Sequence, residues 1–253
     1  MNESFPSAKA APFPPLAHEP NQAPGLWASF LFGFYLAKSQ LSRRRTGLTL
    51  FLAFALAISS ALIEKYFTQM GAVDRALEST FRLLIPLLCF AILSEITGRA
   101  DLRDAAWPMA RFGANHRDIV LGMLAASVLA SALSSAGLAL VSVIVAHSKS
   151  APPILSDAVL SAWIAMLTAL AYTGYYALGA TFFRFGRGRL IPLIIDFLLG
   201  GSAGLIGALM PRGNAINLLG GAAPMGLSQS NSFVLLLVMG AFMGGLALMR
   251  CRR

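Results

Sequence analysis

Six apolar runs, each near the ~20 residues that carry an α-helix across a bilayer, recur along the chain and leave little sequence for anything else. They cover about Thr46–Ile63, Glu78–Thr97, Ile119–Ala146, Leu155–Phe183, Leu190–Met210 and Ser232–Met249. Only 12% of the 253 residues are charged, against ~25% in a soluble domain. The predicted fold class is therefore all-α integral membrane, with six transmembrane helices and no room for a large soluble domain.

The net charge of +9 would point to nucleic acid in a soluble protein, but its distribution points elsewhere. Basic residues gather in alternate connections: Lys38 to Arg45, then Arg99, Arg103, Arg111 and Arg117, then Arg184, Arg187 and Arg189, then Arg250, Arg252 and Arg253. The intervening connections hold only Lys65 and Arg75, then Lys149, then Arg212. Lys and Arg concentrate in cytoplasmic loops. The pattern predicts a multi-pass protein of the plasma (inner) membrane with both termini cytoplasmic, whose general partner is the lipid bilayer and not nucleic acid.

Residues 1–24 are Pro-rich without apolar periodicity and read as a disordered cytoplasmic tail. They lack the basic start and apolar core of a signal peptide. Residues 25–45 are aromatic-rich and end in Arg43-Arg44-Arg45, which reads as an interfacial amphipathic helix at the headgroups or as the first half of a spanning helix. Residues 46–253 form the six-helix domain. Cys89 and Cys251 lie in an apolar run and at the far end, a poor disulfide pair, and His18, His116 and His147 are isolated, so no metal site is expected.

The most polar block between apolar runs extends from Glu95 to Gly122. A central Arg or Asp costs ~2.5–3.5 kcal/mol in a bilayer, so this block belongs in water at a membrane face. Leu102, Ala106, Met109 and Ala110 recur at helical spacing, with Arg103, Asp104 and Arg111 mainly elsewhere on the wheel. That predicts a short amphipathic helix, lying on the membrane or docked on a soluble partner.

Within the runs, Asp196 is the one carboxylate well inside a late span, either hydrogen-bonded or paired to a nearby Arg, or part of a translocation path. Glu78 and Arg82, four residues apart, predict a local ion pair. Gly200-Gly201-Ser202-Ala203-Gly204 has the spacing of a hydrolase nucleophile elbow, but no His occurs in the last three runs, and the segment reads as a helix–helix contact. Gly240 and Gly244 read the same way. Residues 211–231 read as either re-entrant outer helices or a surface loop. No phosphate-binding Gly-rich loop is present, so the chain is not expected to be an enzyme or to hold a cofactor.

Together, the six runs, the N-terminal helix and the charged loop between the second and third runs resemble the permease subunit of ABC-2-type ABC transporters. The residue-level likeness lies in Glu95, Gly98-Arg99, the helix over Asp101–Phe112, and Arg117-Asp118-Ile119-Val120-Leu121-Gly122. The resemblance implies a coupling helix at about Leu102–Asn115 that docks on a separate cytoplasmic ATP-binding subunit. Trp107, Met109 and Phe112 would be its apolar knobs, and Arg103, Arg111 and Arg117 its charged contacts or lipid anchors. It further implies re-entrant helices between spans five and six, a dimer with a second permease copy or homologue enclosing the path, and export. The residues alone leave two other classes open: a non-transporting membrane anchor or assembly subunit of a larger complex, and a secondary transporter.

Overall fold

The computed structural model describes residues 25–68, 71–98, 100–111, 113–148 and 153–251. Every regular element among them is helical. The tail over residues 1–24 lies outside them, as do Arg99, Phe112, Lys149, Arg252 and Arg253.

Five helices are long and apolar enough to cross a membrane, as a multi-pass membrane protein requires. They are α2 (Arg44–Phe67), the run of α3 (Ala72–Ser79) into α4 (Ile85–Thr97), α6 (His116–Ala146), α7 (Ile154–Gly179) and α11 (Gln229–Arg250). The α3–α4 run is interrupted by a π-helical segment, Thr80–Leu84, which contains Arg82. Pro86 explains the interruption. It has no N–H to give the Arg82 carbonyl, and its ring crowds that carbonyl, so the chain widens and the Ile85 N–H reaches back to the Thr80 carbonyl. The predicted Glu78–Arg82 ion pair forms across this segment.

The centre is α6 against α7. Both carry buried small residues: Ser127, Ser131, Ser135 and Ala139 on α6, and Ala165, Ala169, Thr173 and Ala177 on α7. Lipid is as apolar as leucine, so helices associate in it where small residues let backbones approach. Gly174 and Gly240 do this between α7 and α11, where a Cβ on Gly174 would stand 2.6 Å from the Gly240 carbonyl oxygen. Among the described residues nothing lies within 4 Å of the Gly244 Cβ position, so none of them packs closely there.

α1 (Leu26–Leu41) lies across the start of α6, and the two backbones nearly touch. A Cβ on Gly33 would fall 1.9 Å from the Ile119 carbonyl oxygen, and one on Gly122 would fall 2.0 Å from that of Phe30. Its buried stripe is Ser29, Gly33 and Ala37, while Trp27 and Tyr35 face outward. Small residues mark the inner face of α1, and the outer face is apolar rather than charged.

The largest departure from the sequence reading concerns the span expected at Leu190–Met210. α8 (Leu190–Leu199) has ten residues, about 15 Å at 1.5 Å per residue, half of a ~30 Å hydrocarbon core. The chain then turns through 200–204, makes the single turn α9 (Leu205–Ala208), and resumes as α10 (Pro211–Leu218). α8 starts beside Gly179 and Gly188 at the basic end of the bundle, whereas α10 ends beside Asp74 and Glu78 at the other. The expected fifth span is thus two short helices joined through a turn. Close backbone contacts at other glycines go with the break: a Cβ on Gly207 would lie 1.8 Å from the Ser202 carbonyl oxygen, and one on Gly213 would lie 2.4 Å from that of Gly207.

Candidate functional site

Two places gather the residues singled out from the sequence. The first is α5 (Leu102–Ala110), shorter than the expected Leu102–Asn115. Asp101 caps it by accepting from the Asp104 N–H at 2.7 Å, and Pro108 sits inside it near its end. α5 is fixed to the bundle by one face. Leu102 and Ala106 are fully buried, and the Leu102 N–H donates to the Ala180 carbonyl at the end of α7. Met109 packs on the core instead of projecting. Trp107 projects: it is 58% exposed, with its ring 5.7 Å from that of His116. Arg103, Arg111 and Arg117 are exposed around it, and Glu95 is half-buried at the end of α4. Of the three expected knobs, Trp107 alone is presented among the described residues, since Phe112 lies outside them.

Beneath α5 lies Arg189, whose role the sequence did not disclose. Only 7% exposed, it donates from Nε to the Gly186 carbonyl at 2.9 Å and from Nη2 to the Gly98 carbonyl at 2.7 Å, and from Nη1 to the Thr97 hydroxyl. Read from sequence as one more inside-positive charge, it instead ties the end of α4 to the loop that starts α8. Burial pushes its pKa down from the ordinary guanidinium value. The loop itself, Arg184–Arg189, is irregular, with Phe183 and Phe185 in left-handed backbone conformation at φ 62° and 64°.

The second place is the break between α8 and α10. Asp196, 3% exposed, accepts from the Tyr172 hydroxyl at 2.8 Å and, at 3.4 Å, from the Arg212 backbone N–H at the start of α10. The Arg212 guanidinium donates to the Phe197 carbonyl at 3.2 Å. Asp196 therefore joins the two short helices through its hydrogen bonds. Tyr172 stacks on Tyr176 at 5.7 Å, and Tyr176 meets Phe90 edge-on at 5.8 Å, so an aromatic column runs from the carboxylate into the core. Ser202, in the hydrolase-like pentapeptide, lies in the Gly-rich turn and not in a strand–turn–helix elbow, which removes the context that the motif needs.

Among the described residues no group of three or more His, Cys, Asp or Glu is placed to hold a metal ion. No protein-family model, curated protein or solved structure matches this chain.

Proposed function

We propose that this chain is the membrane-spanning permease subunit of an ATP-driven exporter of the ABC-2 kind, working as a dimer with a separate cytoplasmic ATPase. The observation that carries this reading is the exposed Trp107 on α5. A tryptophan presented from a short polar-loop helix, with its neighbours pinned by Leu102 and Ala106, is suited to insertion into a partner's groove. A force on α5 has a rigid route inward. α5 bonds to the end of α7, and Arg189 joins the end of α4 to the loop leading into α8. In this reading, closure of the ATPase pair moves α5 and shifts α8 against α10 at Asp196.

The test is affinity purification of the tagged full-length protein from its membranes in mild detergent, comparing the native chain with Trp107→Ala/Arg103→Glu. Recovery of a nucleotide-hydrolysing subunit with the native chain, and its loss with the variant, supports the reading. A stable complex without ATPase activity overturns it in favour of an assembly subunit.

The broken crossing favours a second reading, a proton- or cation-coupled secondary transporter. Discontinuous helices with an ionisable residue at the break are how many such proteins build their sites. The protein reconstituted alone in vesicles would then move protons or cations down an imposed gradient, and Asp196→Asn would stop it. Vesicles that stay silent exclude this alternative.

A further inference from the structure

At the basic end, α7, α8 and α11 enclose an apolar groove of about 330 Å³, within the ~300–1,000 Å³ range of ligand pockets. Its walls include Leu178, Phe182, Ile191, Ile195, Met210 and Met243. On its wall the Tyr175 hydroxyl is already bonded to the Leu209 carbonyl. The interior thus offers an apolar chain no competing polar partner from Tyr175. Two arginines adjoin residues of the groove. The Arg250 guanidinium lies 4.2 Å from the centre of the Phe182 ring, a cation–π contact. Exposed Arg187 precedes Gly188, which lines the groove, and itself lines an adjoining polar cleft of about 430 Å³ with Gly98, Phe185 and Arg189. Consecutive Cα atoms are ~3.8 Å apart, so one amphipathic molecule can span groove and cleft. Phe183, a groove residue, and Phe185 are 67% and 64% exposed in left-handed backbone conformation. Strained, exposed aromatics concentrate where a ligand or an interface is served, and aromatic rings favour the headgroup level.

We propose that this groove is a specific site for one anionic phospholipid, with an acyl chain between α7, α8 and α11 and its phosphate held by Arg187 and Arg250. The choice of lipid follows from charge. Basic pockets between membrane helices on the inside-positive face select anionic headgroups. The site lies beside α8, so an occupied groove buttresses the cytoplasmic half of the broken crossing. The inference depends on insertion in a membrane and on its orientation, not on what the protein transports.

The experiment is native mass spectrometry of the full-length protein in detergent, titrated with phosphatidylglycerol or phosphatidylcholine, alongside thermal unfolding in the same mixtures. Phosphatidylglycerol should bind as one retained copy per chain and raise the unfolding midpoint, with phosphatidylcholine weaker. Arg187→Gln and Arg250→Gln should each weaken phosphatidylglycerol about fivefold, while Arg45→Gln, a charge at the start of α2, should not. Glycerol phosphate without acyl chains should compete poorly. Met243→Trp, which fills the groove, should weaken both lipids, and the exposed arginine variants carry the test if that one does not fold. Equal retention of the two lipids, or indifference to Arg187→Gln and Arg250→Gln, overturns the proposal. So does a concentration-dependent dimer that protects the groove and shows no lipid preference, which would seat a second copy there.

Discussion

Tyr172 donates its hydroxyl hydrogen to Asp196 Oδ2 at 2.8 Å, joining the second half of α7 to α8 just before the chain breaks. Removal of this donor by Tyr172→Phe leaves a buried carboxyl oxygen underbonded, a loss of about 1–3 kcal/mol. Asp196→Ala should cost more, because the Arg212 N–H then also loses its acceptor. Thermal unfolding in detergent of the two variants and the native chain measures both, and midpoints equal to native for both would contradict the contact.

The meeting of α1 and α6 reverses a general rule. Gly→Ala within a helix ordinarily stabilises by about 1 kcal/mol. At Gly122 the new methyl would collide with the Phe30 backbone, so Gly122→Ala should lower the midpoint and loosen α1. Gly244→Ala, with open space around it, should be neutral or stabilising. Limited proteolysis near Ser42 should detect α1 release in the first variant and not in the second.

On α5, packing and presentation fall to different residues. Leu102 is fully buried, so Leu102→Ala should cost about 2–5 kcal/mol. Trp107→Ala should stay within ~0.5 kcal/mol, as exposed positions do, while abolishing partner recovery. A Trp107 variant as unstable as the Leu102 variant would assign the ring to the core instead.

Arg189→Lys keeps the charge and loses the fork that reaches Thr97, Gly98 and Gly186 at once. Losing charge-assisted hydrogen bonds at ~1.5–3 kcal/mol each, the variant should fall by at least ~2 kcal/mol. Hydrogen exchange should rise at 97–98 and 184–189, and unchanged protection there would refute the clamp.

Orientation can be read by labelling. Both native cysteines are buried, Cys89 at 0% and Cys251 at 3% exposure, so an introduced thiol reports alone. Asp104→Cys should resist a membrane-impermeant maleimide in intact cells, and Ala222→Cys should react. The opposite pattern would invert the topology inferred from the arginines.

The sequence by itself determined the elements whose physics is one-dimensional. A long uncharged run must be helical and buried in lipid or protein, because its backbone has no other way to satisfy its hydrogen bonds there. The runs around α2, α4, α6, α7 and α11 therefore appear near their expected bounds. The Glu78–Arg82 pair and the short helix from Leu102 follow equally from local spacing. What only the tertiary structure decided were relations between distant residues. Leu190–Met210 is as apolar as a span, yet it breaks because Gly200, Gly207 and Gly213 pack backbone on backbone while Asp196 finds its donors on Tyr172 and Arg212. Arg187 and Arg189 are alike in sequence, but one is exposed beside a groove and the other buried across Thr97 and Gly98. Hydropathy adds along a chain and can be read from it. Close approach and hydrogen-bond partnership depend on which helices meet, and those meetings exist only in the folded molecule.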